Sequence, residues 1–105
     1  MKYNQAVDLE NTIKENIEQD VDLTFTTNNT TYCIMPDLAG FDCAKVRISN
    51  ADGEFATMGD KIMVTHGGYY LSDDDDAFVI ITVETDCGKR AGFFRFYEPF
   101  EVRRM

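Results

Sequence analysis

Catalytic side chains are in short supply in this 105-residue chain. His66 is the single histidine, and only Ser49 and Ser72 offer serine hydroxyls. Neither serine stands in the strand-turn-helix context of a nucleophile elbow, and no other catalytic or cofactor motif is present. Long apolar runs are missing as well. The longest, Ala77 to Ile81, is far too short to cross a bilayer. The opening residues, MKYNQAVDLEN, place acids where a signal peptide has its apolar region, so the expected location is the cytoplasm. Cysteine is confined to Cys33, Cys43 and Cys87, an odd number at wide spacing, and reduced thiols are the expectation without an export signal. The glycosylation patterns at Asn28 and Asn29 carry no meaning in that setting.

Positive charge is the other shortage. Ten Lys and Arg stand against nineteen Asp and Glu, a net charge of −9. Direct binding to a phosphate backbone is disfavoured, because counterion release needs cations the chain lacks. An anionic membrane surface is disfavoured for the same reason. A basic partner is favoured. The imbalance is also uneven along the chain. Residues 1 to 42 hold eight acids and two bases, and residues 71 to 86 hold six acids and no base. Residues 87 to 105 reverse the sign, with five bases and two acids.

What is present describes one folded domain over residues 1–105. Hydrophobic residues make up 44% of the chain, and eight Phe with five Tyr supply bulky core material, which excludes disorder. Residues 4 to 20 carry a helical period, with Ala6, Leu9, Ile13 and Ile17 on one stripe and Asn4 as the expected N-cap. Asp8, Glu15 and Glu18, with Asn11 between, fall on the opposite face. The period then changes to two. VDLTFTT alternates Val21, Leu23 and Phe25 against polar residues, Asn28-Asn29 makes a turn into TTYCIM, and Pro36 ends that strand. KVRIS, EFATM, KIMVTH, YYLS, AFVIITVET and FFRFYEPFEV follow at hairpin-like spacing, with turns at NADG, GD, Gly67-Gly68 and DCGKRAG. About eight short strands over residues 21–104 read as an antiparallel meander. The expected class is α+β, with an N-terminal amphipathic helix packed on a bent antiparallel sheet or a small, partly open barrel.

Four consecutive aspartates, Asp73 to Asp76, invite a metal reading that extended geometry resists. Successive residues point to opposite faces, so at most two carboxylates readily share an ion. In NADGE, Asn50, Asp52 and Gly53 match the third, fifth and sixth positions of a calcium loop, but Ile48 and Gly59 then fall where the first and twelfth ligands belong. Cys33, Cys43, His66 and Cys87 sum to a permissible zinc set without the close spacing of a zinc knuckle. His66 itself is expected in a hairpin turn. KRAGFFRFYEPF is distantly similar to the aromatic strand of base-stacking RNA-binding folds, but Ala91 replaces the glycine and Arg95 stands where an apolar residue packs. Phe93, Phe94, Phe96 and Tyr97 are therefore expected in the core.

The leading expectation is a non-enzymatic interaction protein without cofactor or metal. Asp8, Glu15 and Glu18 on the helix, and Asp73, Asp74, Asp75 and Asp76 on the turn, would dock on a basic groove of a nucleic-acid-binding partner and block DNA or RNA. Small acidic domains of phage-encoded inhibitors, anti-CRISPR proteins among them, are the analogous class, with no motif behind the analogy. One alternative is an accessory subunit that self-associates through its aromatic C-terminal strand. Another is a small metal protein or enzyme using Cys33, Cys43, His66 and Cys87.

Overall fold

The computed structural model describes residues 1–36, 46–50, 52–53, 56–69, 75–85 and 87–105. The N-terminal helical period becomes α1, Tyr3–Glu18. The helix starts earlier than Asn4 because Gln5 caps it from inside. Its Oε1 accepts the Lys2 N–H at 2.8 Å, the backward half of a capping box. The C-terminus closes as a Schellman motif. Val21 N–H donates to Asn16 O at 2.9 Å, and Asp20 N–H to Ile17 O at 3.0 Å. Asp20 takes the left-handed conformation this requires, with φ 56°. The buried side of α1 carries Ala6, Glu10, Ile13 and Asn16, with Leu9 and Ile17 packed beside them.

Eight strands follow among the described residues: β1 Leu23–Thr27, β2 Thr30–Met35, β3 Val46–Asn50, β4 Ala56–Gly59, β5 Lys61–Gly67, β6 Phe78–Glu84, β7 Arg90–Phe96 and β8 Arg103–Arg104. They form two antiparallel sheets, ordered β4-β3-β2-β1-β8 and β5-β6-β7. The α+β class is as expected, but the strands divide between two sheets where a single bent sheet or partly open barrel was expected. The β1–β2 hairpin turns at Asn28 and Asn29, whose φ values of 51° and 62° are what a two-residue type I′ connection needs. Of the YYLS segment, Tyr69 lies outside any strand and residues 70–72 lie outside the described residues. The partner of β5 is β6, from Lys61 opposite Glu84 to Gly67 opposite Phe78. FFRFYEPFEV is not one strand. β7 ends at Phe96, the chain passes Pro99, and β8 returns to pair with β1.

Alternation along the strands sets the core. Leu23, Phe25, Ile34 and Ile48 face inward from the five-stranded sheet, and Val64, Val79, Ile81, Val83 and Phe96 from the three-stranded one. Helix α1 lies against β5 and β6 and closes the same core with Ala6 and Ile13. Met1 is buried there as well. Its carbonyl accepts the Ala77 N–H at 3.1 Å, and its amino group donates to the carbonyls of Asp75, Ala77 and Tyr97.

The chain passes from one sheet to the other at Gly59-Asp60. Asp60 N–H donates to Glu84 O at 2.8 Å. A Cβ on Gly59 would stand 2.5 Å from that same carbonyl oxygen and 2.7 Å from Val83 Cγ1. Gly59→Ala should therefore cost about 1–3 kcal/mol through forced backbone movement, read as a lower urea midpoint. Asp20→Gly should act oppositely. It removes a left-handed side-chain penalty and a negative charge at a helix C-terminus, and about 1 kcal/mol of added stability is expected by the same titration. An unchanged midpoint would show that Asp20 is not strained.

Candidate interaction surface

Along α1, Asp8, Asn11, Glu15 and Glu18 are all exposed and share one stripe, since spacings of three and four return to the same side of a helix. The described ion pairs, Lys2–Asp75, His66–Glu10 and Arg103–Glu101, engage none of these three acids. Asp75 and Asp76 are exposed too, while Asp73 and Asp74 lie outside the described residues. Asp75 sits at the N-terminal end of α1, where its Oδ1 lies 3.3 Å from Lys2 Nζ and its carbonyl holds the Met1 amino group. The end of the aspartate run thus lies at the N-terminal end of the helix that carries the stripe. A shallow cleft of about 450 Å³, lined by Met1, Lys2, Gln5, Asp75, Tyr97, Glu98 and Pro99, adjoins them.

The helix also carries a polar group on its buried side that the expected stripe omits. Glu10 is 9% exposed and follows Ala6 by four residues, so it occupies a core-facing position. His66 meets it there, inside β5 rather than in a turn. His66 Nδ1 lies 3.2 Å from Glu10 Oε2, and Nε2 lies 3.1 Å from the Tyr3 hydroxyl, with the Tyr3 ring set edge-on at 5.1 Å. The carboxylate is within ion-pair range but off the direction of an Nδ1–H bond, since that nitrogen has no hydrogen-bond partner. Buried groups in this arrangement fix the helix on the sheet. The readable signal was an acid embedded in an apolar helical stripe. What the sequence did not reveal is that β5 would bring His66 to it.

The C-terminal aromatics divide between two environments, which corrects the core expectation. Phe96 is buried and Phe94 is packed against the core. Phe93 and Tyr97 are 41% and 47% exposed, on the outer face of the three-stranded sheet. The reason is the strict alternation of an edge strand whose outer face nothing described covers. Arg95 fits between them: it replaces an inward apolar residue only if β7 is read in the wrong register.

Cys33 is buried and Cys87 exposed, both free, with Cys87 Sγ 3.2 Å from Thr85 Oγ1. Cys43 lies outside the described residues. Among the described residues no three of His, Cys, Asp and Glu converge on a metal-sized point. No helix among them is long and apolar enough to cross a membrane. Comparison with protein-family models, curated proteins and solved structures finds no match to this chain.

If the Glu10–His66 contact holds α1 in place, a double-mutant cycle with Glu10→Ala and His66→Ala should return about 1 kcal/mol of coupling in urea unfolding. Additive effects of the two substitutions would show that the side chains are merely adjacent.

Proposed function

We propose that this protein is a non-enzymatic interaction protein whose acidic helix face binds a basic groove of a nucleic-acid-binding partner and so blocks DNA or RNA. The observation that carries this reading is the exposed stripe of Asp8, Glu15 and Glu18, outside the described ion pairs, with Asp75 at one end of the same helix. Clustered carboxylates repel one another, a cost that a cationic surface removes on binding. About 24 Å of helix, from the rise per residue, is enough to lie along a groove. α1 is anchored by Glu10, Ile13 and Asn16 on its other side, so the stripe is presented on a rigid support rather than a loop. Inhibitors of the phage-encoded, anti-CRISPR type are the class this design resembles.

Capture from lysate of the native host, with wild type beside Asp8→Lys/Glu15→Lys/Glu18→Lys, tests the reading. The expected result is a nucleic-acid-binding protein that wild type retains and duplex DNA or RNA displaces. The triple variant should bind it at least about tenfold more weakly, with the difference shrinking as salt rises. Changing Asp73 to Asp76 to Asn asks the same of the turn. Equal binding by wild type and the triple variant would remove α1 from the interface.

A further inference from the structure

The outer face of the three-stranded sheet holds two arginines that form no ion pair among the described residues. The Arg95 guanidinium carbon lies 4.8 Å from the centre of the Phe78 ring and 5.4 Å from that of Phe93. Arg90 lies 4.9 Å from the same Phe93 ring. Arg95 also donates to the Tyr97 hydroxyl at 3.3 Å, and Tyr97 packs on Phe78 with centroids 5.2 Å apart. None of the described ion pairs includes Arg90 or Arg95, even though Glu84 stands opposite Arg90 in the β6–β7 register. The rings steady the guanidinium planes, and most of their N–H donors remain for another molecule.

Arginine and tyrosine on an aromatic backing have the composition of a binding hot spot. The sign of the charge calls for an anionic occupant. Two such faces cannot pair with each other, because that would oppose four guanidinium groups. Both guanidinium carbons approach one ring, so they lie within about 10 Å of each other. Asp8 and Glu15 are separated by about 10.5 Å of helical rise, with Glu18 nearly one turn further on. The two sets of charges are opposite in sign, and the arginines lie no farther apart than Asp8 and Glu15. The two sets cannot meet within one copy. α1 packs on the sheet face that carries Val64, Val79 and Ile81, and the arginines stand on the other.

We propose that the Arg90–Phe93–Arg95–Tyr97 face binds the acidic helix stripe of a second copy of this chain, head to tail. Such a contact is heterologous, so each added copy leaves one stripe and one arginine face free, and the assembly grows as an open chain. It also occupies the stripe that the basic partner would use. Self-association and partner binding then compete.

Sedimentation velocity in about 0.15 M salt, from about 10 μM to about 1 mM protein, tests this directly. The average mass of wild type should rise with concentration. Arg90→Glu/Arg95→Glu and Asp8→Lys/Glu15→Lys/Glu18→Lys should each weaken the association at least about tenfold. An equimolar mixture of the neutral variants Arg90→Gln/Arg95→Gln and Asp8→Asn/Glu15→Gln/Glu18→Gln should form a 1:1 heterodimer that grows no further, because one supplies the stripe, the other the arginine face, and the two neutralised surfaces do not attract. Circular dichroism melting establishes that each is folded, and Arg90→Gln/Arg95→Gln serves if the reversed variant is not. A wild type that stays monomeric throughout, or a dimer that survives both reversals, overturns the proposal. So does a monomeric wild type that binds labelled oligo(dT) of about twenty nucleotides through Arg95, which would make the face a nucleic-acid platform. The arginine variant keeps its helix stripe, so its binding of a partner captured through α1 separates failure here from failure of the proposed function.

Discussion

The ring of Phe25 stacks on Phe100 with centroids 4.4 Å apart and on Tyr32 at 5.3 Å, and it meets the edge of Phe96 at 5.3 Å. Through these contacts one side chain of β1 touches β2, β7 and the segment that follows β7. Among the described residues the two sheets share no backbone hydrogen-bond ladder, so their relative position rests on side-chain packing of this kind. Aromatic pairs in offset and edge-on arrangements contribute roughly 0.5–1.5 kcal/mol each beyond the area they bury. Tyr32 and Phe96 also meet directly at 5.3 Å, which closes the cluster. The irregular stretch around Pro99 is what lets Phe100 reach back to Phe25 before β8 pairs with β1.

Once that cluster joins the sheets, the sign of the surface follows from geometry. α1 spends its apolar stripe on the inner face of β5 and β6 and turns Asp8, Glu15 and Glu18 outward. No described element covers the other face of the three-stranded sheet, and β7 places Phe93, Arg95 and Tyr97 there. An acidic side and a cationic aromatic side therefore lie on opposite sides of the two layers formed by α1 and the three-stranded sheet. Neither can neutralise the other within the molecule. The chain carries separated charge as a consequence of its packing, and separated charge is what both the partner-binding and the self-binding readings draw on.

The helix is tied down at both ends by polar groups that the apolar pattern conceals. Tyr3 at its start and Glu10 at its middle meet His66 of β5, and near its end Asn16 accepts from Arg104 of β8 at 3.0 Å while donating to Thr12 O. One anchor goes to each sheet. Groups buried in this way stabilise little on balance when satisfied and cost more when one partner is lost, so their effect is to define where the helix sits.

Local patterns carried much of this structure. The helical period of α1, the exposed acids on its outer side, the alternation in β1 and β6, and the Asn28-Asn29 turn are short-range properties, set by side-chain period and by backbone angles that few residues accept. Where Glu10 and Asn16 would find partners was not legible, because His66 and Arg104 reach them from strands far along the chain. The division of the strands into two sheets was equally hidden. Gly59-Asp60 reads as an ordinary turn, and only the crowding against the Glu84 carbonyl shows that it is the passage between sheets. Four aromatics in five residues suggest burial on both faces of β7, yet Phe93 and Tyr97 are exposed. Alternation alone names two faces without saying which one is covered. The sequence by itself determined the class, the helix and the placement of charge along the chain, since each depends on neighbours a few residues apart. Tertiary structure decided which faces meet water, because covering a face takes elements distant in sequence.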